Sequence, residues 1–386
     1  MLYSLRTDWY KQACMTVILV VLLILSGGCS HNEPIKIGFV GELTGMQGGV
    51  GVAARDGAQL AVDEINKNGG IQGRSVELIV RDDQGSAELA RQIDAELIER
   101  GVTAIIGHIT SGQTAAVFDQ MNKAEVVLVS PASSSSQFSG RVDHFFRVVP
   151  STDLIGKSLA RHIQNARNVR QLTGVYDLNN RAFAEPLWQA IQAEFTELGG
   201  RADKVFTFVS GETELKGLMT QIKITEPEAV VFIASPIDTA LMVQYGRQQG
   251  LEAQFFSSSW AQTDELLAKG GQAVEGLELA AGYSPQNPYP PFERFVERFE
   301  ARYSRQPDML ASNGYEAVLI LAVALEQTAG RANGLPEALV TINNLEGTQG
   351  LFSIDAYGDV EREIYITQVK GGQFELVSVI SPASRE

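Results

Sequence analysis

Cysteine is nearly absent from this chain of 386 residues. Its two cysteines, Cys14 and Cys29, both lie near the N-terminus, and the first falls in a segment that we expect to be removed. The remaining chain would hold one thiol and therefore no disulfide. With 44% apolar residues, a chain of this length can instead bury a substantial core, and it favours two globular domains over one.

Motifs for catalysis and for metal binding are also missing. The chain has no G-x-S-x-G and no H-E-x-x-H, and its four histidines (His31, His108, His144 and His162) lack the spacing of metal ligands. His108 follows a predicted strand and stands beside serines, but neighbours in one loop rarely supply the geometry of a catalytic Ser-His pair. These absences predict a protein that is not an enzyme and that needs no metal and no cofactor.

One glycine pattern, "GVGVAA" at 49–54, fits the G-x-G-x-x-A form of a dinucleotide site and opens a predicted helix. However, about six residues separate it from the preceding strand, and the acidic pair Asp82 and Asp83 comes later than a ribose partner should. We therefore expect these glycines to let the backbone approach another small ligand.

Positive charge is scarce. The chain has 31 Lys and Arg against 46 Asp and Glu, which gives a formal net charge of -15. Removing residues 1–28 would take away Arg6, Lys11 and Asp8 and leave -16. Phosphate-rich partners need Lys and Arg, so this composition excludes nucleic acid and anionic lipid surfaces as partners of the folded body.

The N-terminus has the form of an export signal. Arg6 and Lys11 precede the apolar run "MTVILVVLLIL" (Met15–Leu25), which is too short to span a bilayer comfortably. The following "LSGGC" resembles the cleavage box of bacterial lipoproteins, in which the cysteine is acylated and becomes the new N-terminus. This predicts a lipoprotein signal peptide at 1–28, a lipid anchor on Cys29 and a tether at 29–34.

Two alternatives for this segment stay open. Leucine usually stands three residues before the acylated cysteine, where this chain has Ser26, so cleavage by the ordinary export peptidase is one alternative. An uncleaved N-terminal membrane helix is the other.

Short apolar runs alternate with amphipathic helical patterns along most of the chain. "IKIGFV", "SVELIVRD", "TAIIG" and "VVLVS" are each followed by a helical or serine-rich segment, and a second series begins after "FRVVPS" (146–151) with "LTGVYD". This alternation predicts two doubly wound lobes, each with its own parallel sheet. From "NPYPPFERFVERF" onward the pattern is helical until "GLFSIDAYGDVEREIYITQV", whose "AYGD" predicts a hairpin turn.

Small hydroxylated loops follow five of the predicted strands: "GHITSGQT", "SPASSSS", "YDLNNRAFAEP", "ASPID" and "SSSWAQ". Ligands of open parallel sheets bind beyond the carboxyl ends of the strands, where such loops present free backbone N–H groups. We therefore interpret the serine run as part of a binding site rather than as a linker.

With these loops in order, the chain resembles the periplasmic solute-binding proteins of the branched-chain amino acid class, which have the type I fold and feed ABC importers. The residues that carry the resemblance are "IKIGFVGELTG", "GAQLAVDEINKNGGIQGRSVELIVRDDQ", "AIIGHITSGQT", "LVSPASS", "FFRVVPSTDLIG" and "NGYEAVLILAVALE". The resemblance implies an α/β fold of two doubly wound parallel-sheet lobes joined by three hinge crossings. It places the N-terminal lobe at 35–149 and 282–349 and the C-terminal lobe at 150–281 and 350–382.

The resemblance also implies a function. A small amino-acid-like or carboxylate solute would bind between lobes that close on it, and the closed form would dock on the membrane permease of an ABC importer. The protein would be a monomer in the periplasm or at the cell surface, attached to the membrane through its lipid anchor. A ligand-sensing or cell-envelope regulatory lipoprotein of the same fold, without a transport role, is the alternative.

Site residues are carried over by position. In this family Ser111, together with Ala132 and Ser134 of the serine run, would hold a ligand carboxylate. The remaining expected ligand-binding residues are Val50, Ser133, Phe183, Ser235, Ser259 and Trp260.

One position departs from the family pattern. Members that bind α-amino acids usually carry an acidic residue in the fifth loop to pair the ligand ammonium, and this chain has Ser259 there. Burying an ammonium without a carboxylate costs several kcal/mol. Either another acid (Glu42, Asp177 or Asp238) takes this role, or the ligand has no ammonium.

Overall fold

The computed structural model describes residues 33–45 and 48–381. The predicted signal peptide, Cys29 and most of the tether lie outside the described residues. The described residues cover nearly all of the two predicted lobes.

The first lobe is built on a parallel sheet of five strands. The strands are β1 (Ile35–Gly41), β2 (Val76–Asp82), β3 (Ala104–Ile106), β4 (Val127–Ser130) and β5 (Phe145–Arg147). Their order across the sheet is β2-β1-β3-β4-β5, and all neighbours are parallel. Apolar side chains on both faces are buried under helices, as the short apolar runs predicted.

The helices of the first lobe come from two parts of the chain. They are α1 (Gly48–Lys67), α2 (Ala87–Glu99), α3 (Ser111–Ala124), α9 (Pro290–Tyr303), α10 (Met309–Gln327) and α11 (Leu335–Leu339). By length and composition α10 is apolar enough to cross a membrane, but 67% of its most apolar window is buried inside the protein. It packs against α1 and belongs to the core of this lobe.

The second lobe has a sheet of seven strands: β6 (Gln171–Asp177), β7 (Arg201–Phe208), β8 (Ala229–Ile233), β9 (Gln254–Ser258), β10 (Glu278–Ala281), β14 (Ile364–Lys370) and β15 (Gln373–Ile380). Their order is β15-β14-β10-β9-β8-β6-β7. The first five are parallel, as predicted, whereas β14 and β15 are antiparallel additions at one edge. Gly371 and Gly372, both at positive φ, form the two-residue turn of this hairpin.

Helices cover both faces of the second sheet. They are α4 (Thr152–Arg161), α5 (Arg181–Glu197), α6 (Leu215–Ile224), α7 (Pro236–Gln248) and α8 (Asp264–Gly270). Each follows a strand and begins at the carboxyl edge of the sheet, apart from α4, which enters this lobe from the first.

A small antiparallel sheet belongs to the first lobe. It consists of β11 (Leu345–Glu346), β12 (Leu351–Ile354) and β13 (Val360–Glu361), and the predicted turn at "AYGD" connects the last two. Phe352, Ile354 and Val360 are buried in the first-lobe core. This packing extends the first lobe to Val360, whereas the sequence-based boundary placed its end at residue 349.

The chain passes between the lobes three times: after β5, after β10 and between β13 and β14. These crossings meet at Gly282, where an added Cβ would lie 2.8 Å from Pro150 and 3.4 Å from Arg362. Arg362 donates to the Val148 carbonyl at 2.9 Å and forms a buried pair with Glu316 at 2.6 Å. The hinge is therefore a packed, hydrogen-bonded junction.

Candidate functional site

A cavity lies between the lobes, at the carboxyl ends of the strands of both sheets. Helices α3 and α5, one from each lobe, are in contact, so the described conformation has the lobes together. The cavity is lined by Val50, Ile109, Thr110, Ser111, Ala132, Ser134, Met309, Leu310 and Asn313 from the first lobe, Val149, Pro150 and Gly282 from the hinge, and Ile155, Asn180, Phe183, Ser259, Trp260 and Thr263 from the second lobe.

The start of α3 forms one part of the first-lobe wall. The Thr110 side chain accepts from the N–H of Gln113, whose own side chain accepts from the Thr110 N–H, so this helix has a complete capping box. Ser111 Oγ accepts from the N–H of Ser135 at 3.3 Å and thereby joins the loop after β3 to the serine run after β4. The positive end of the α3 dipole consequently lies at the cavity.

Ser134 forms the adjacent part of this wall. Its carbonyl accepts from the N–H of Thr152 at 2.6 Å, while its own N–H has no hydrogen-bond partner among the described residues. Arg147 Nη1 lies 3.4 Å from the carbonyl oxygen of Ser133. Because C=O and N–H point in opposite directions across a trans peptide, the Ser134 N–H points away from the Arg147 guanidinium. It is a donor available to a ligand.

Arg147 fixes the serine run through hydrogen bonds to its backbone carbonyls. Its side chain is fully buried, and Nη1 donates to the carbonyl of Ser135 at 2.9 Å while Nε donates to Asp359 at 2.8 Å. Burial lowers the pKa of Arg147, and the carboxylate of Asp359 opposes that shift. The guanidinium therefore fixes the orientation of this loop.

Two of the serines expected at the site do not line the cavity. Ser133 Oγ is 2.6 Å from Thr114 Oγ1 and also donates to the carbonyl of His108. Ser235 caps α7: its side chain accepts from the N–H of Asp238 at 3.1 Å and donates to the Asp238 carboxylate at 2.7 Å. Both hydroxyls are used within the protein.

Phe183 and Trp260 form an aromatic wall on the second lobe. Their ring centroids are 5.9 Å apart, with the planes at 88° in an edge-to-face arrangement. Val50, on α1 of the first lobe, lies on the same cavity and supplies a smaller wall. Of the two glycines that flank Val50, Gly51 has another explanation, since a Cβ there would lie 1.8 Å from the Glu42 carbonyl oxygen. That glycine serves packing within the lobe, contrary to our expectation of ligand contact.

Glu42, Asp177 and Asp238, the three acids considered as ammonium partners, are absent from the described residues that line the cavity. Asp177 accepts from the N–H groups of Asn179 and Ser210. Burial, the largest cause, and the nearby Asp238 charge raise the pKa of Asp177. Indeed, the described lining contains no charged side chain.

His108 lies in a fully buried cluster behind the loop after β3. Its Nδ1 and Nε2 are each 3.1 Å from a carboxylate oxygen, of Asp83 and Asp94 respectively. Burial alone would lower the pKa of His108, but the two carboxylates outweigh it and raise the pKa to about 9. The imidazolium is therefore a structural cation. The backbone carbonyl of His108 accepts from the hydroxyls of Ser130 and Ser133.

Sequence reasoning missed several lining residues, of which Asn180 and Thr263 are the most polar on the second lobe. Both precede helices and read in the sequence as ordinary N-cap residues. Thr110 could have been found, because it directly precedes Ser111 at a predicted helix start. Asn313, Met309 and Leu310 come from α10, far along the chain, and no local pattern connects them with the site.

Comparison with known proteins gives consistent results. A family model described as periplasmic binding protein matches residues 34–373. An amino acid binding protein of Pseudomonas aeruginosa is 25% identical over 336 residues, which cover 86% of this chain and 89% of that protein.

Two solved structures are similar over most of the chain. The crystal structure of a leucine binding protein from Thermotoga maritima has a TM-score of 0.84 at 27% identity and covers 90% of this chain and 99% of that one. The branched-chain amino acid transporter substrate binding protein of Streptococcus pneumoniae, solved with isoleucine, has a TM-score of 0.83 at 25% identity and covers 90% and 100%.

Proposed function

The chain belongs to the periplasmic binding protein family, and from this we propose that it is the extracytoplasmic receptor of an ABC importer for a small carboxylate solute. The observation that carries the proposal is the cavity between the lobes, where the Ser134 N–H, the Ser111 hydroxyl and the start of α3 converge. Such groups suit a carboxylate, because each supplies a hydrogen-bond donor or a partial positive charge.

Closure of the lobes would present the loaded receptor to a membrane permease. A solute favours closure only through contacts that it makes better in the closed state. Here the carboxylate cradle, formed by Ser111, Ser134 and the start of α3, lies on the first lobe, and the aromatic wall lies on the second. A solute that touches both would hold the lobes together. We propose that the receptor acts as a monomer and is tethered to the membrane by lipid on Cys29.

The same cavity suggests that the solute has no ammonium group. The two similar structures are of proteins named for leucine or branched-chain amino acids, whereas the described lining here offers no carboxylate to pair an ammonium. An unpaired buried ammonium costs several kcal/mol. Keto acids, amides and aromatic carboxylates of similar size fit this lining better than α-amino acids do.

A thermal-shift screen of matched pairs tests this point. Leucine is compared with 4-methyl-2-oxopentanoate, and phenylalanine with 3-phenylpropionate, because each pair differs chiefly in the ammonium. The acids are expected to raise the melting temperature, since a ligand at 100 times its Kd stabilises by about 2.7 kcal/mol, and the amino acids are not. A shift with leucine that disappears when Glu42, Asp177 or Asp238 is neutralised would show that an acid reaches the ligand after all.

The carboxylate cradle is tested by removing its hydroxyls. Ser111→Ala and Ser134→Ala are each expected to weaken binding of the best acid in that screen by about 1 to 3 kcal/mol, because each removes a hydroxyl of a lining residue that would donate to the charged group, while the Ser134 N–H remains in both variants. Calorimetry measures the effect. Ser136→Ala, in the same run but outside the cavity lining, is the matched control, and equal losses at Ser134 and Ser136 would contradict the assignment.

The anchor is tested by Cys29→Ser. The wild-type protein is expected in the membrane fraction and the variant in the soluble fraction, because acyl chains supply the attachment. Intact-mass analysis of the wild type should show a lipidated chain that starts at Cys29. An unmodified chain starting elsewhere would favour the ordinary export peptidase or an uncleaved helix.

A further inference from the structure

Two residues of the second lobe occupy helix N-cap positions without capping. Asn180 is the N-cap of α5 and Thr263 is the N-cap of α8, yet neither side chain accepts a hydrogen bond from its helix. Asn and Thr are favoured at this position because their side-chain oxygen can satisfy a free N–H of the first turn. In these two residues that oxygen makes no such hydrogen bond.

Other helices of this lobe use their caps. Ser151 accepts from the N–H of Leu154, Glu214 from those of Lys216 and Gly217, and Ser235 from that of Asp238. Among the five α-helices described in this lobe, the missing caps are therefore specific to Asn180 and Thr263. Of these N-cap residues, only these two line the cavity between the lobes.

Both unused oxygens are buried. Asn180 Oδ1 and Thr263 Oγ1 are inaccessible to solvent and have no hydrogen-bond partner among the described residues. A buried polar atom without a partner is destabilising, and native structures keep few of them. Because both residues line the cavity, a ligand group that reaches these atoms would satisfy them.

The two residues stand at the same wall. Asn180 comes three residues before Phe183 and Thr263 three residues after Trp260, and those two rings are in contact. The wall therefore combines apolar ring surface with two hydrogen-bonding oxygens. Because the described lining contains no charged side chain, these oxygens are suited to a neutral group.

We propose that Asn180 and Thr263 form a polar subsite that selects solutes carrying a neutral donor–acceptor group, a hydroxyl or a carboxamide, at the end remote from the carboxylate. An amide oxygen such as Asn180 Oδ1 accepts a hydrogen bond, and a threonine hydroxyl can donate or accept. A hydroxyl or carboxamide can serve both residues, whereas a methyl group leaves both buried oxygens unpaired. This inference rests on the proposed function, because it assumes that the carboxylate is held on the first lobe.

The test uses calorimetry to compare the affinities of isosteric ligands for the purified wild-type protein. The para-hydroxy acids 4-hydroxybenzoate, 4-hydroxyphenylacetate and 3-(4-hydroxyphenyl)propionate are each measured against their para-methyl counterparts, and 5-amino-5-oxopentanoate is measured against 5-oxohexanoate. Shape is nearly conserved within each pair, so the ratio of affinities reports the polar group. At least one polar member is expected to bind about tenfold or more tightly than its methyl partner.

Two isosteric variants test whether the subsite causes the ratio of affinities between the polar ligand and its methyl partner. Asn180→Leu and Thr263→Val are each expected to reduce this ratio to less than about threefold, because the polar partner loses its hydrogen bond to the substituted residue. Without ligand their melting temperatures should match or exceed the wild type, because each removes a buried unpaired oxygen. A purely structural role would lower the melting temperature instead. Ser235→Ala is the control: its cap is used and it lies off the cavity, so it should lower stability and leave the ratio unchanged.

The outcomes separate the two proposals. If no acid of this series and none of the thermal-shift screen binds, the carboxylate receptor is refuted, and the subsite with it. If only acids of the thermal-shift screen bind, the subsite alone is refuted. If acids bind but every methyl partner binds as tightly as its polar counterpart, the subsite alone is refuted. A ratio that survives in both variants would likewise refute it.

Discussion

Arg362→Met is expected to lower the free energy of unfolding by about 3 to 5 kcal/mol. The side chains of Arg362 and Glu316 are almost completely buried, 3% and 0% exposed. Removing the guanidinium leaves the Glu316 carboxylate in the core with the N–H and hydroxyl of Thr348 as its only remaining donors among the described residues. It also leaves the Val148 carbonyl without this donor at the first crossing. Urea unfolding measures the loss.

Companion variants distinguish charge from packing. Arg362→Lys should lower the free energy of unfolding less than Arg362→Met does, because it keeps the positive charge and loses only the bidentate geometry of the guanidinium. The double variant Glu316→Leu with Arg362→Met should recover much of the loss, since no buried charge is then left unpaired. Additive losses in the double variant would contradict this account of the hinge.

The stability of the wild-type protein is expected to fall as pH rises from 6.5 through about 9. The pKa of His108 is raised to about 9 in the folded state against 6.5 when unfolded. A raised pKa contributes stability that is fully present below 6.5 and is lost as pH rises through the folded value. A difference of this size corresponds to about 3 kcal/mol. Urea unfolding at pH 6, 7.5 and 9 measures this slope.

His108→Gln should remove that pH dependence and destabilise the protein by about 3 to 5 kcal/mol near neutral pH, because Asp83 and Asp94 then lose their shared cation. The same change at half-buried His144 is the control for loss of an imidazole. An unchanged slope in His108→Gln would mean that another group titrates in this range.

Much of the architecture follows from local patterns. Apolar runs of strand length, each followed by a helical period, gave the parallel strands of both sheets because every such unit buries its own faces. The antiparallel β14–β15 edge was not predicted, although its Gly-Gly turn is a local hairpin signal. The lobe boundary was placed too early, since burial of Phe352 and Val360 depends on a core formed by distant helices.

Some features of the site could likewise be predicted from local sequence patterns, and others could not. Serine loops at strand ends brought Ser111 and Ser134 together in prediction and in structure, because parallel strands present their carboxyl ends at one edge. Sequence does not distinguish a serine that caps its helix, as Ser235 does, from an N-cap residue whose oxygen stays unused, as in Thr263. Nor does it reveal that Arg147 is paired with Asp359, 212 positions away.

The meeting of the three crossings at Gly282 also bears on inhibition. The hinge residues Gly282, Pro150 and Val149 also line the cavity. A bound solute would therefore lie close to the hinge. Surfaces farther from the hinge move through larger distances when the lobes close. A carboxylate with a long tail would enter the first-lobe cradle normally and then obstruct those distant surfaces. Such a molecule would act as a wedge, competing for the receptor while preventing delivery. If the proposed function holds, analogues extended beyond the aromatic wall are candidates for import inhibitors.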